Sequence, residues 1–168
     1  KTNLLSSEIK KILFVGRFEE KRKGFNILLR AFDKISLDFD NLQLIVVGPG
    51  DSKNIKIRNK SIDFSKIKFI GSVNQSDLPN FYKMADIVCL PSTENESFGV
   101  IILESMASGK ILALSNIESY KSLAIKNNYG FLYDYKSSNK LAELLLSILN
   151  NEKSYDRNIE NGLKNVKN

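Results

Sequence analysis

The chain has 168 residues, 42% of them hydrophobic and 26% charged, which is the size and balance of one globular domain with its own core. It contains no histidine, which excludes histidine-ligated zinc sites, Ser-His-Asp triads and histidine general bases. The formal net charge of +6 indicates an anionic partner such as a phosphate group, a nucleic acid or a membrane surface, although a lysine-rich surface with basic residues spread along the chain explains most of the excess equally well.

Short apolar runs that end at glycine or proline predict about six strands. These runs are continuous rather than strictly alternating, which is typical of strands covered on both faces of a parallel sheet. In chain order the predicted strands are Lys11–Val15, Leu42–Val47, Lys68–Ile70, Ile87–Leu90, Ile111–Leu114 and Gly130–Tyr133.

Helical patterns fill the intervals between these strands. Ser76 is predicted to cap a helix that carries Pro79 in its first turn, where a missing N–H is tolerated. The polar and basic segment 50–65 is predicted to be a surface excursion. The predicted helices are Asn26–Lys34, the Ser76-capped helix through Met84, Gly99–Ser108 closed by Gly109, Glu118–Lys126, Ser138–Leu149 and a polar helix from about Tyr155.

Strand-helix alternation at this spacing predicts an α/β fold, with a doubly wound, mainly parallel sheet of about six strands and helices on both faces. Ligands of such sheets bind beyond the carboxyl ends of the strands. Four loops begin with glycine or proline just past a predicted strand, which lets the backbone approach a ligand closely. We therefore expect the functional site at this edge, in loops 16–24, 48–50, 71–76 and 91–99.

The sequence predicts neither an internal disulfide nor a membrane-spanning helix. Cys89, the only cysteine, lies in an apolar strand and is expected to be a buried core thiol. No disulfide can form within the chain, which fits a reducing compartment. The longest apolar runs have about five residues, so no membrane-spanning helix is predicted.

Two carboxylates, Glu96 and Glu104, flank a predicted helix start, with seven residues between them. The free N–H groups and positive dipole end of a helix start suit an anion such as a diphosphate. At a rise of about 1.5 Å per residue, Glu104 lies about 8 Å along the helix, which is comparable with the separation of a ribose from its diphosphate. The pair could grip opposite ends of an activated sugar, although each acid is also an ordinary residue for its position near a helix start or on a helix surface.

The second informative stretch is basic and follows the first predicted strand, in the loop from Gly16 to Gly24. Arg17 offers a planar fork to phosphate oxygens, and Lys23 adds a compact charge. On composition alone, this loop is more simply interpreted as a solvated, mixed-charge segment. We leave Lys21 and Arg22 in that solvated class.

With both stretches in view, the chain resembles the nucleotide-sugar-binding half of family 4 (group 1) retaining glycosyltransferases, which have the GT-B fold. Glu96 and Glu104 resemble the Glu-x7-Glu motif of that family, and Arg17 and Lys23 stand where it places its diphosphate-binding arginine and lysine. The resemblance runs in register from about Lys11 to Leu149. It implies a Rossmann-like half of a GT-B enzyme, which carries the donor site.

The resemblance implies a role for each matched residue. Arg17 and Lys23 would hold the diphosphate, Glu96 would contact hydroxyls of the donor sugar, and Glu104 would hold the ribose hydroxyls. We count Glu96, Arg17 and Lys23 as catalytic, with Glu96 orienting the sugar rather than attacking it. No metal and no cofactor are expected. The remaining donor-binding residues are expected to be Gly16, Val73, Ser97, Phe98, Gly99 and Val100.

Three neighbouring features are interpreted without a role in the chemistry. Glu94 is taken as a loop charge, and Tyr133 and Tyr135 as packing or surface residues. After the strand Ile111–Leu114, many family members have a glycine pair before Pro-Glu, whereas this chain has Ser-Asn-Ile-Glu-Ser at 115–119. This departure affects any specificity carried by that loop, but not the expected diphosphate and ribose contacts.

The resemblance further implies that residues 1–168 form a single donor-binding domain, and that the N-terminal acceptor domain and a terminal crossover helix are absent. We expect the isolated chain to bind a UDP- or GDP-type donor without turnover. The full enzyme would serve polysaccharide, glycolipid or glycoprotein synthesis, with a glycan or lipid-linked sugar as acceptor. It would be cytoplasmic, at the inner face of a membrane through peripheral association, and would bind no nucleic acid.

Three alternatives remain open from the sequence. One is a nucleic-acid binder, which would use the net charge of +6 but lacks the interleaved aromatic and basic residues of an RNA-binding surface. The other two share the α/β architecture. The first is the corresponding half of a GT-B-like sugar epimerase, and the second is a non-catalytic nucleotide-binding α/β module, because a fold does not by itself fix a function.

Overall fold

The computed structural model describes residues 9–94, 96, 100–151 and 155–166, without the side chains of 127, 157, 165 and 166. Six strands alternate with seven helices within these ranges. The strands are β1 Lys10–Val15, β2 Leu42–Val47, β3 Ile67–Gly71, β4 Ile87–Leu90, β5 Ile111–Ser115 and β6 Phe131–Tyr133. The helices are α1 Phe25–Ser36, α2 Ser52–Arg58, α3 Leu78–Met84, α4 Val100–Ala107, α5 Glu118–Asn127, α6 Ser138–Asn150 and α7 Asp156–Val166.

The strands form one parallel sheet in the order β3-β2-β1-β4-β5-β6. Each face of the sheet has its own apolar core, because successive side chains along a strand point to opposite faces. Phe14 of β1 packs in the core that contains residues of α1 and α6, whereas its neighbour Leu13 packs in the core that contains residues of α3, α4 and α5. The predicted doubly wound α/β fold with helices on both faces is therefore confirmed.

Segment 50–65, predicted only as a surface excursion, contains the helix α2, which is absent from the set of predicted helices. Asp51 caps α2, its carboxylate accepting the N–H groups of Lys53 at 2.8 Å and Asn54 at 3.4 Å. Ile55 is buried beneath the helix. The sequence does not predict this seven-residue helix, because a single buried position creates no helical period of apolar residues. Its other residues are mostly polar, as in a loop.

Two smaller predictions about helices also need correction. The cap position of α3 is Asp77 rather than Ser76, and no side chain caps that helix. The last helix, α7, is amphipathic rather than simply polar, and it packs against α4 and α5. Gly162 on α7 lies against Tyr129, so closely that an added Cβ would come within 2.5 Å of the ring. A glycine is needed at position 162 because the helix packs closely against Tyr129, and not because the chain turns there.

The order in which the chain adds strands to the sheet reverses between β1 and β4. From β1 it passes through α1 to β2 on one side, and from β4 it passes through α4 to β5 on the other. The two neighbouring loops diverge there and leave a crevice at the carboxyl edge, which is where doubly wound sheets bind ligands. Among the described residues, no helix is both long and apolar enough to cross a membrane.

Candidate functional site

A cavity of about 260 Å³ lies in this crevice, beyond the carboxyl ends of β1 and β4. Its volume is slightly below that of common small-molecule sites, and it is open to one side. Its wall combines strand ends, the loops after β1 and β4, the first turn of α4 and one residue of α5. The lining residues are Phe14, Val15, Arg22, Lys23, Leu90, Pro91, Ser92, Glu96, Val100, Ile101, Ile102 and Tyr120.

The two loops of the crevice are held together through their backbones. Gly24 follows a short 3-10 turn, Lys21–Lys23, and adopts the left-handed conformation with φ of 66°. A Cβ on Gly24 would fall 1.8 Å from the carbonyl oxygen of Pro91, so only glycine fits this approach. The N–H of Thr93 also donates to the carbonyl of Arg22 at 2.8 Å. These contacts fix the distance between the Lys23 loop and the Glu96 loop.

Lys23 and Glu96, each of which the sequence analysis predicts as a site residue, meet in the crevice. The Lys23 ammonium group lies 2.9 Å from both oxygens of the Glu96 carboxylate. Their side chains are only 17% and 10% exposed, so solvent screens this pair less than a surface ion pair. The structure thus joins two residues that lie 73 positions apart in the sequence.

Arg22 also belongs to this site, and its interpretation as a solvated residue is wrong. Its guanidinium group lies 3.1 Å from Glu96 and 3.2 Å from Glu20. The negative charge of Glu96, and less that of Glu20, raises the pKa of Arg22 above its ordinary value. Glu96 therefore faces two cations, one of which, Arg22, also pairs with Glu20.

A buried hydroxyl pair supports Glu96 from the opposite side. The Ser92 hydroxyl donates to the Glu96 carboxylate at 3.0 Å, and the Tyr120 hydroxyl lies 3.0 Å from that of Ser92. The Ser115 hydroxyl donates to the Ser92 carbonyl at 2.6 Å. Burial raises the pKa of Tyr120 to about 12, so this hydroxyl stays protonated at neutral pH. Sequence analysis missed both Ser92 and Tyr120, because neither lies in a recognised motif.

Arg17 and Gly16 lie outside the crevice. Arg17 is exposed in a neighbouring groove with Glu19, Pro49 and Gly50, and its guanidinium group bonds to none of the residues that the structure describes. The backbone N–H of Gly16 donates to the carbonyl of Val47 at 2.9 Å. The proposed pairing of Arg17 with Lys23 on one diphosphate stays a prediction.

The second glutamate of the motif, Glu104, is also outside the crevice lining. It accepts a hydrogen bond of 2.7 Å from the hydroxyl of Tyr82, whose pKa is raised chiefly by burial. Val73 is partly buried against the core on the α4 side, whereas Val100 is 57% exposed and lines the crevice. Ser97, Phe98 and Gly99 lie outside the described residues.

The predictions for residues without a role in the chemistry agree with the structure. Glu94 is exposed in the loop after β4. Tyr133 is buried, and Tyr135 is 45% exposed at the surface. Cys89 is fully buried, and this burial raises the pKa of its thiol, as expected for a core cysteine.

Across residues 9–94, 96, 100–151 and 155–166, no group of three or more His, Cys, Asp or Glu residues is placed to hold a metal ion.

The crevice has the parts of an anion site with a hydroxyl-binding group beside it. Lys23 and Arg22 provide positive charge, and α4 directs its first-turn N–H groups to the same end. Glu96 provides carboxylate oxygens, which accept hydrogen bonds from a diol. An anionic group joined to a polyhydroxy group matches this arrangement.

Comparison with known proteins agrees with this description. Residues 1–165 match the family model described as glycosyl transferases group 1. A phosphatidyl-myo-inositol mannosyltransferase of Mycobacterium leprae is 30% identical over 158 residues, which cover 94% of this chain and 42% of that protein. The chain therefore spans less than half the length of this curated relative.

Two solved structures share the fold. The C-terminal domain of a glycosyl transferase group 1 family protein from Francisella tularensis is 25% identical with a TM-score of 0.81, over 94% of this chain and 84% of that one. The Anabaena protein HepE, solved with UDP and glucose, is 21% identical with a TM-score of 0.82, over 95% of this chain and 44% of that one. At 21% identity, the second comparison shows the fold alone.

Proposed function

Since the chain belongs to the glycosyl transferases group 1 family, we propose that it is the half of a retaining glycosyltransferase that binds a nucleoside diphosphate sugar. The observation that carries the proposal is the cluster of Lys23, Arg22 and Glu96 at the switch point of the sheet, beside the start of α4. The cations suit the diphosphate and the carboxylate suits the sugar hydroxyls. The UDP and glucose bound by HepE have this chemistry.

The rest of the proposal concerns the whole enzyme. Its remaining part, which the curated relatives' greater length suggests, would carry the acceptor site. The acceptor would be a glycan or a lipid-linked sugar of the cell envelope, and UDP or GDP would carry the donor sugar. The enzyme would work in the cytoplasm at the inner face of the membrane, without a metal ion.

In the proposed reaction, the bond between the anomeric carbon and the diphosphate oxygen breaks while the acceptor oxygen bonds to the same face of the sugar. The acceptor's proton passes to the departing diphosphate. Lys23, Arg22 and the α4 N–H groups neutralise the charge that grows on this leaving group, an electrostatic contribution to catalysis. Glu96 orients the sugar and does not attack it.

The contacts of Glu96 link recognition of the diphosphate to recognition of the sugar. Lys23, Arg22 and Ser92 all bind its carboxylate in the structure. In this proposal, a diphosphate that engages Lys23 replaces Glu96 as the partner of the ammonium group. The released carboxylate oxygens can then accept hydrogen bonds from the sugar. In this arrangement, Glu96 competes with free diphosphate and cooperates with a sugar-bearing donor.

Calorimetric titration of the chain with UDP and UMP, and with GDP and GMP, tests the proposal. We expect the diphosphate of the preferred base to bind more tightly than the monophosphate, because Lys23 addresses the second phosphate. Lys23→Gln should weaken diphosphate binding by about 1.5–3 kcal/mol, the value of a charged hydrogen bond. The matched control is Lys21→Gln, which removes the same charge from an exposed side chain two residues away.

Lys21→Gln should change the affinity by less than about twofold, since an exposed charge is screened by solvent. Equal affinities for the diphosphate and the monophosphate would contradict the proposed phosphate site. Equal losses in the Lys21 and Lys23 variants would also contradict it, because the effect would then be one of general charge.

A further inference from the structure

Residues 52–68 carry a local excess of positive charge. Residues 52–68 contain six lysines or arginines and one aspartate, whereas the whole chain has a net charge of only +6. The rest of the chain is therefore close to neutral. This segment holds α2 and β3, and β3 is an edge strand of the sheet.

The exposed side of α2 carries a regular pattern. Lys53, Lys56 and Ile57 have the spacing i, i+3 and i+4, which places them on one side of the helix. Lys60 is exposed in the turn that follows the helix. Ile55, on the other side, is buried. We call these four residues the basic face of α2. Ile57, within this face, is 64% exposed.

The lysines of this face are not neutralised by the part of the chain that the structure describes. The side chains of Lys53 and Lys60 form no ion pair or hydrogen bond with a described residue, and the Lys56 ammonium lies 5.8 Å from the ring centre of Phe64. Lys66, by contrast, donates to the carbonyls of Ser36 and Phe39 and is engaged in the fold.

The two acids of the neighbourhood have partners of their own. Asp51 caps α2, and the Asp63 carboxylate accepts hydrogen bonds of 2.8 Å from the backbone and the hydroxyl of Ser65. These bonds lower the pKa of Asp63. Arg58 and Lys68, both exposed, extend the positive charge beyond the face.

We propose that the basic face of α2 contacts the surface of an anionic lipid bilayer. Three exposed lysines without a described acidic partner attract anionic headgroups, and the exposed Ile57 supplies an apolar group that can enter the interface. A nucleic acid fits less well, because single-stranded RNA sites use exposed aromatic platforms, whereas Phe64 and Phe69 are packed against the core. The inference names a surface for the membrane association in the proposed function and rests on that part of it.

The position of the face relative to the crevice agrees with this role. Asp51, at the start of α2, donates its backbone N–H to Glu19 of the loop after β1 at 2.9 Å. The start of α2 therefore lies at the carboxyl edge of the sheet, the same edge that holds Lys23 and Glu96. Contact through α2 brings the donor crevice near a membrane-bound acceptor.

Vesicle co-sedimentation tests the proposal, with phosphatidylcholine vesicles compared with vesicles that also contain phosphatidylglycerol. We expect the chain to bind the anionic vesicles only, and added salt to weaken this binding. The variant K53Q/K56Q/K60Q should lose roughly tenfold or more in affinity. The control K121Q/K126Q/K164Q, which removes three exposed lysines from α5 and α7, should lose less than about threefold. Ile57→Ser should weaken vesicle binding and leave binding of single-stranded RNA unchanged.

Equal losses in the two triple variants would overturn the proposal, because binding would then follow net charge alone. Tighter binding to RNA than to the anionic vesicles, without an effect of Ile57→Ser, would assign the face to nucleic acid instead. A wild-type chain that binds neither vesicle would also overturn it. Nucleotide titration of the same preparations separates this inference from the donor site, since the triple variant should bind nucleoside diphosphate like the wild type.

Discussion

The Glu96→Gln variant is expected to bind free nucleoside diphosphate more tightly than the wild type, by roughly tenfold. The carboxylate holds Lys23 at 2.9 Å and Arg22 at 3.1 Å, and in the proposed function a diphosphate competes with it for both cations. Coupling energies of close charge pairs reach about 1.5 kcal/mol or more, which corresponds to this factor. The same variant should lose its preference for the sugar-bearing donor over the free diphosphate. Calorimetric titration with both ligands measures both effects.

Glu104→Gln is the matched control, with an opposite expected result. It removes the same charge from the second glutamate of the motif, which has Tyr82 rather than a cation as its partner. If Glu104 binds the ribose, this variant should weaken binding of the free diphosphate and of the donor alike. Unchanged or weaker diphosphate binding in Glu96→Gln, with an intact thermal transition, would show that Glu96 does not compete with the phosphate.

Gly24→Ala is expected to destabilise the fold by roughly 3 kcal/mol. The added Cβ would lie 1.8 Å from the Pro91 carbonyl oxygen, and the φ of 66° is unfavourable for alanine. Overpacking of this kind costs about 1–3 kcal/mol, and the left-handed conformation adds about 1 kcal/mol. Relief of the contact would separate the Lys23 loop from the Glu96 loop, so diphosphate binding should weaken as well. Urea unfolding gives the free energy of unfolding.

Gly71→Ala provides the control for the backbone conformation. Gly71 also has a positive φ, 83°, but an added Cβ would meet nothing within 4 Å. The free energy of unfolding of this variant should therefore fall only by the cost of the left-handed backbone conformation, about 1–2 kcal/mol. The variant should bind nucleotide normally. If the two variants lost the same free energy of unfolding, the close contact between Gly24 and Pro91 would not be what holds the crevice together.

The sheet was largely predictable because its strands are short apolar runs with clear ends. Leu42–Val47 and Ile87–Leu90 have the predicted bounds, and the other strands differ by one or two residues at their ends. Helix α2 was not predictable, since one buried residue, Ile55, does not create a period. Basic residues are spread along the sequence as expected, and the local excess in residues 52–68 became a surface feature only once α2 was seen.

The candidate site was predictable only in part. The spacing of the motifs identified Lys23 and Glu96, which the structure brings together. Three consecutive cations, at 21–23, give no sign of which ones point inward, so Arg22 was missed; the 3-10 turn before Gly24 determines this. Tyr120 reaches Ser92 from helix α5, 28 residues away, and its pattern in the sequence is that of an ordinary core residue.

A crystal structure of the chain with its preferred nucleoside diphosphate tests the central claim most directly. We predict that the terminal phosphate lies within hydrogen-bonding distance of the Lys23 ammonium and the first-turn N–H groups of α4, with Glu96 released from Lys23. A nucleotide bound elsewhere on the domain, or bound in the crevice with the Lys23–Glu96 pair still at 2.9 Å, would contradict the account.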